Sequence, residues 1–223
     1  MTQPTFTPEQ LAQIEQAQKA AIELKQSPAM LSSENLALIL TQARSHNGWT
    51  DKPVSDELLQ QLFDIVKMGS TSMNTCPARF IFIRGEEAKK RLKNVLMPGN
   101  VEKVLAAPVT VIIGYDTEFY SHMPRLFPHN PQAQNIFINN PDNAQATAFR
   151  NGTLQGAYLM VAARALGLDI GPMSGFNNAA CDEEFFAGTS IKSNFLCSLG
   201  YGDTNKLFQR LPRFDFDDVC TLL

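Results

Sequence analysis

The chain has 223 residues, of which 44% are hydrophobic and 18% charged, with a net charge of -3; that length and balance suit one sizeable domain, or one domain with an appendage. No Lys/Arg cluster supplies the phosphate track that duplex binding requires, so nucleic acid is not an expected partner, and no apolar run approaches the roughly 18 residues of a membrane span. With no basic-then-apolar leader in the first twenty-five residues the expected location is cytoplasmic, and Cys76, Cys181, Cys197 and Cys220 lack the Cys-x-x-Cys spacing of a zinc ribbon or redox dithiol.

The first segment predicts a helix, with Thr7 as cap, Pro8 at the first helical position and Gln10 three residues after the cap. Leu11, Ile14, Ala17, Ala21 and Leu24 give it a thin apolar face, and Ser27-Pro28 predicts its end. Residues 1–29 therefore read as a helical extension to a domain spanning 30–223. A second helix is expected from about Glu34 to Ala43. The run Arg44-Ser45-His46-Asn47-Gly48-Trp49 follows, polar at its start and closing on the only tryptophan.

Ser55 predicts the cap of a third helix, with Asp56 and Glu57 at the positive end of its dipole. Leu58, Leu59, Leu62, Phe63, Ile65 and Val66 form a wide apolar stripe. Met68 to Phe80 then gathers Gly69, Ser70, Thr71, Ser72 and Asn74 before Pro77, a composition that serves either as a turn or as a ligand cradle. Phe80 to Ile83 reads as a strand buried on both faces, Glu86 to Leu96 as a polar helix, Val101 to Ala106 as a helical turn, and Val109 to Tyr115 as a second strand beside the first.

Residues 116–142 have little periodicity but contain Phe119, Tyr120, His122, Arg125, Phe127 and His129; such a segment is either a substrate wall or an insert packed for stability. Asp142 to Leu166 is the longest helical pattern, and Gly152 and Gly156 on one face predict the close approach of another helix. Gly167 to Phe176 reads as a glycine stop and successive turns, Ala180 to Ala187 as a helix, and Ser193 to Leu199 as a third strand.

Nucleophile-elbow, phosphate-loop, dinucleotide-turn and zinc-helix signatures are all missing, and no carboxylate stands at metal-ligand spacing from His46, His122 or His129. No metal is expected. What remains is a set of polar loops: Arg44 to Asn47, Ser70 to Asn74, Met173 to Gly175, and Lys206 to Arg213.

Those loops, read together with Trp49-x-x-Lys52-Pro53-Val54, Pro77, Gly167-Leu168-x-x-Gly171-Pro172-Met173-Ser174-Gly175-Phe176 and Leu199-Gly200-Tyr201-Gly202, resemble the flavin-dependent nitroreductase family over about residues 31–223. His46-Asn47, the run from Thr71 to Phe80, Leu126-Phe127-Pro128-His129 and Lys192-Ser193-Asn194 resemble its branch of malonic semialdehyde reductases in pyrimidine degradation. The resemblance implies an α+β fold, a central mixed or antiparallel sheet flanked by helices, and an intertwined homodimer holding FMN in two interfacial sites. It places Arg44, Ser45 and Asn47 at the flavin phosphate and ribityl chain, and Thr71, Ser72 and Asn74 beside the ring of the partner's flavin. Ser174 and Gly175 fall near the ring N5, and Arg210 or, with slight preference, Arg213 completes the phosphate clamp.

Asn47 stands where many members carry a second basic residue, and Ser70 where proline is common. The chemistry implied is hydride transfer from NADH or NADPH through the flavin to a small carbonyl acceptor, so no protein nucleophile is needed. Arg79, Phe119, Arg125, Phe127 and His129 are the expected acceptor contacts. The alternatives are a nitroaromatic, quinone or flavin reductase of the same family and a flavin-binding dimer without turnover.

Overall fold

A computed structural model describes residues 6–26 and 30–223. The chain divides into two units, Met1–Gln42 and Ala43–Leu223, so the second helix expected from the sequence falls in the first unit. In that unit, α1 (Pro8–Lys25) starts with the expected capping box. The Gln10 N–H donates to Thr7 Oγ1 at 3.2 Å, and the Thr7 N–H donates to the Gln10 side chain at 2.9 Å. No residue of α1 is buried. The expected stop at Ser27-Pro28 lies outside the described residues. Ser32 caps a short α2 (Ser33–Leu36), which widens into a π-helix over Ala37–Thr41, where the Gln42 N–H reaches the Ala37 carbonyl.

The second unit is built on an antiparallel four-stranded sheet of order β1-β2-β4-β3. Ser55 caps α3 (Asp56–Val66), which buries Leu59, Leu62 and Val66. It delivers the chain through a tight turn at Ser72–Asn74 to β1 (Ala78–Ile83). The central four residues of β1 are only half-buried, because this strand ends the sheet instead of lying inside it. Then come α4 (Glu86–Lys93), shorter than its sequence pattern, α5 (Pro98–Ala106), longer than expected because Pro98 starts it, and β2 (Val109–Asp116), buried along its whole length.

The aromatic segment forms two 3-10 turns, Phe119–His122 and Pro131–Gln134, and two short helices, α6 (Met123–Leu126) and α7 (Asn135–Ile138). Phe119, Met123, Ala133 and Phe137 from this segment join Tyr115, Ala144 and Ala148 in a third, smaller core. Next, α8 (Pro141–Ala165) leads to β3 (Asp169–Met173), α9 (Asn178–Phe186), β4 (Ile191–Gly200) and a tail carrying α10 (Phe216–Val219).

Alternation along the strands divides the core into two layers. Val111, Ile113, Cys197 and Leu199 pack with α3 and α8 on one face, while Ile112 and Leu196 pack with Leu92, Val104, Cys181 and Phe186 on the other. The glycine face of α8 approaches this sheet, not another helix. A Cβ at Gly152 would come within 2.8 Å of Tyr115 Cβ, and one at Gly156 within 2.6 Å of the Phe195 ring. The stretch from Asp169 to Met173, expected to turn, is instead an edge strand. Its pairing with β4 outweighs the local signals of Gly171 and Pro172, and an edge tolerates proline.

Candidate functional site

The start of β3 carries a fixed polar turn. Ser45 bridges Ile170 in parallel, and the His46 N–H donates to the Ile170 carbonyl at 2.8 Å. This approach requires Gly171, where a Cβ would lie 2.6 Å from the His46 carbonyl oxygen. His46 is buried, with Nε2 3.3 Å from Asp169 Oδ1, and the Gly202 N–H donates to the other Asp169 oxygen at 2.8 Å. The His46 hydrogen bond is the main reason that the Asp169 carboxyl titrates below its ordinary range.

Three arginines converge on this turn. Arg44 donates to the Phe208 carbonyl, Arg210 to the Ala43 carbonyl at 3.2 Å, and Arg164, from the last turn of α8, to the Arg44 carbonyl at 3.2 Å. Burial lowers the Arg164 pKa, the adjacent Arg210 charge pushes the same way, and Asp169 opposes both. Ser45 and Asn47 are exposed beside this cluster. Arg213 is not part of it. Its guanidinium turns back on its own segment, donating to the Leu211 and Pro212 carbonyls at 3.1 and 2.9 Å.

Ser174 and Gly175 lie at the other end of β3, four residues beyond Ile170, or roughly 13 Å at the usual strand rise. The Gly175 carbonyl accepts from the Asn100 side chain at 2.7 Å and from the Met97 N–H at 3.0 Å, so α5 fixes this loop. Ser174 opens on a cavity of about 630 Å³ that also draws on Lys192, Ser193 and Asn194. The sequence separates these two groups by almost twenty residues, yet the structure brings them to one wall.

Thr71, Ser72 and Asn74 are held by other elements. The Ser72 N–H donates to Asn151 of α8 at 2.8 Å, and the Asn74 amide donates to the Leu126 carbonyl at 2.8 Å. Thr71 Oγ1 accepts from the Cys76 N–H at 3.2 Å, so Cys76 braces the loop. Met73, Asn74 and Cys76 all have positive φ, at 51°, 51° and 40°. That conformation costs about 1–2 kcal/mol for each such residue and is characteristic of ligand-contacting loops.

Of the expected acceptor contacts, Phe119 is fully buried against Phe137, with ring centroids 4.9 Å apart, and belongs to the core of the insert instead of a wall. The Phe127 and His129 rings are in contact, with centroids 3.9 Å apart and planes tilted by 55°. Arg79 pairs with Asp116 at 2.6 Å, and Arg79 and Arg125 line one cavity of about 450 Å³. Arg164, Asp169 and Asn100 were not singled out in the sequence. The one visible signal was Arg164, a lone cation in the Ala-rich end of a long helix.

The donor set at the head of β3 fits a phosphate monoester, and the fixed loop at its far end leaves room for a planar ring. Among the described residues there is no His/Cys/Asp/Glu group that could hold a metal ion, and no helix is long and apolar enough to cross a membrane.

Comparison with known proteins gives the family and the fold. A Cupriavidus pinatubonensis protein with the provisional name NADH dehydrogenase/NAD(P)H nitroreductase is 56% identical over 195 residues, covering 86% of this chain and 100% of that protein. HadB of Ralstonia pickettii, provisionally named in the same way, is 54% identical over 196 residues, covering 86% of this chain and all of HadB. A protein from Exiguobacterium sibiricum provisionally named a nitroreductase, crystallised in complex with FMN, shares the fold with a TM-score of 0.77 at 18% identity, covering 88% of this chain and 100% of that one. The Nitroreductase family model matches residues 40–202, and the chain belongs to the nitroreductase family.

Proposed function

We propose that the protein is a cytoplasmic, FMN-dependent NAD(P)H oxidoreductase acting as a homodimer. The observation that carries this reading is the placement of Arg44, Arg164 and Arg210 at one end of β3 and the Ser174–Gly175 loop at the other. A ribityl phosphate spans that scale, and charge-assisted Arg contacts suit its dianion. When bound, FMN would supply the redox chemistry, hydride transfer from NADH or NADPH to the acceptor in a ping-pong cycle.

Within this chain Arg44 and Arg210 bind the phosphate, Ser45 and Asn47 hydrogen-bond the ribityl chain, and Ser174 and Gly175 orient the ring. Thr71, Ser72 and Asn74 border the flavin of a second copy, which accounts for their attachment to elements other than β3. The sequence resemblance favours malonic semialdehyde as acceptor, reduced to 3-hydroxypropanoate. A nitroaromatic or quinone acceptor is favoured by the phenyl-lined cavity at Arg125 and by the names of the relatives.

Purified protein is expected to be yellow and to bleach anaerobically with NADH or NADPH. Colourless protein that ignores added FMN overturns the assignment, and bound flavin that no nicotinamide reduces turns it into a binding dimer. Comparing reoxidation by malonic semialdehyde with that by a nitroaromatic or a quinone separates the acceptors.

A further inference from the structure

Along the turn that meets the head of β3, Ser45 and Asn47 are exposed, while His46 between them is only 5% exposed. Its ring enters a slot beside Gly202 and Trp49. A Cβ at Gly202 would overlap His46 Nδ1, and the Trp49 ring lies 6.2 Å away, centroid to centroid. Trp49 is itself fixed, because its Nε1 donates to the Lys103 carbonyl at 3.0 Å. The backbone just beyond is pinned as well. The Asp203 N–H donates to the Gly48 carbonyl at 3.0 Å, and the Thr50 N–H to the Tyr201 carbonyl at 2.8 Å.

Packing alone does not account for a histidine in that slot. Nδ1 is buried and has no hydrogen-bond partner among the described residues, which is a costly state for a polar atom. A leucine would fill much of the same space without that cost. What the imidazole adds is one directed bond. Nε2 lies 3.3 Å from Asp169 Oδ1, so Nε2 is assigned the hydrogen and Nδ1 is the bare nitrogen. Asp169 is in turn held through its other oxygen by the Gly202 N–H at 2.8 Å. The bond fixes the ring's orientation and, through it, the backbone that carries Ser45 and Asn47.

We propose that His46 and Asp169 act as a pair of positioning residues for the flavin phosphate and ribityl chain. The pair touches neither group. It locks the turn from Arg44 to Asn47 onto β3 by a side-chain bond, next to the backbone bond from the His46 N–H to the Ile170 carbonyl. Arg164 reaches the Arg44 carbonyl and Arg210 the Ala43 carbonyl, so a turn that shifts also moves the spacing of the three guanidinium groups around one phosphate. Small displacements of charge-assisted donors are costly in binding, which gives a single buried bond a large effect on cofactor affinity. This role rests on the proposed function, because Arg44, Ser45 and Asn47 are flavin contacts in that reading.

Fluorescence titration of the full chain, freed of flavin, with FMN tests the pair, together with NADH oxidation at rising FMN concentration. His46→Leu keeps most of the volume and removes the bond. It is expected to raise the FMN dissociation constant at least about tenfold, and the FMN concentration for half-maximal NADH oxidation by the same factor, while the rate at saturating FMN stays within about twofold of native. His46→Gln, whose amide nitrogen can stand in for Nε2 as donor to Asp169, should recover affinity to within about threefold of native. In the His46→Leu background, Asp169→Asn should cost no further affinity, because the bond is already gone. Should His46→Leu fail to fold, Asp169→Asn alone decides, with about a fivefold loss of FMN affinity expected. Native-like FMN binding by His46→Leu, or by Asp169→Asn alone, overturns the proposal. So does a glutamine no better than the leucine, additive losses in the double variant, or a saturating rate that falls with affinity. Native protein that binds no FMN overturns the proposed function and this role with it, whereas native protein that binds FMN no better than His46→Leu overturns the positioning role alone.

Discussion

Arg210 and Arg213 are three residues apart and equally plausible as a terminal phosphate clamp by sequence, but their backbone partners separate them. Arg210 crosses to the Ala43 carbonyl beside Arg44, while Arg213 closes on its own turn. No local sequence signal encodes that choice, because it depends on where the tail lies against the Arg44 turn. Arg210→Gln is expected to weaken FMN binding by about 1.5–3 kcal/mol, roughly ten- to hundredfold, with Arg213→Gln far milder; fluorescence titration of apoprotein checks the order. Asp169 was likewise not legible, because its partner His46 is distant in sequence. Its folded pKa is depressed, so its contribution is present above the unfolded value of about 4 and is lost as pH falls through the folded value. Asp169→Asn should therefore flatten the acid limb of stability below about pH 4, read as a smaller drop in urea midpoint. The half-exposed carboxylate makes this a modest effect. All four cysteines are free, and only burial distinguishes them. Burial pushes Cys197 up to about 12 and Cys181 up to about 11. A disulfide reagent at neutral pH is thus expected to modify Cys76 and Cys220 in native protein and the other two only after unfolding.

At the scale of elements, the strongly periodic or capped segments were readable and the edge strand was not. Thr7, Ser55 and the apolar stripe of α3 each act through neighbours within one or two turns, so sequence alone contains their physics. The strand β3 exists because β4 pairs with it and the Ser45 turn lies along its other side, and both contacts are long-range. The glycines of α8 were readable as sites of close approach, but not as to what approaches. Their partner is the sheet, through Tyr115, Ile113 and Phe195. This gives a paired test of packing against propensity. Gly152→Ala places a methyl 2.8 Å from Tyr115 Cβ and is expected to destabilise by about 1–3 kcal/mol. Gly99→Ala, near the start of α5 with nothing within 4 Å, is expected to be neutral or to stabilise by up to about 1 kcal/mol. Thermal melts of the two variants should move in opposite directions, and equal shifts would mean that α8 does not lie tightly on the sheet.

For the whole molecule, the tail beyond β4 presents apolar side chains that the second unit does not cover. Phe208, Leu211 and Phe214 are 71%, 67% and 78% exposed, and Phe216, Val219 and Leu222 continue the series. Six such residues in one segment exceed the scattered exposure normal for a monomer and mark an association surface. Phe149 and Leu154 on the outward side of α8, half-exposed and beside the helix that holds the Ser72 loop through Asn151, extend the same tendency to the centre of the fold. If a second copy covers the tail, then Arg210, which lies within that tail, is ordered by dimerisation, and flavin affinity is coupled to assembly. Phe214→Ser with Phe216→Ser leaves Arg210 and every proposed flavin contact in place. Light scattering should show the native protein at twice the 24.7 kDa chain mass and the double variant shifted toward the monomer, with weaker FMN retention at low protein concentration. Raising protein concentration should restore both together, because assembly follows mass action. A variant that stays dimeric, or a monomer that retains FMN undiminished, would uncouple the tail from the site and place the flavin contacts within one chain.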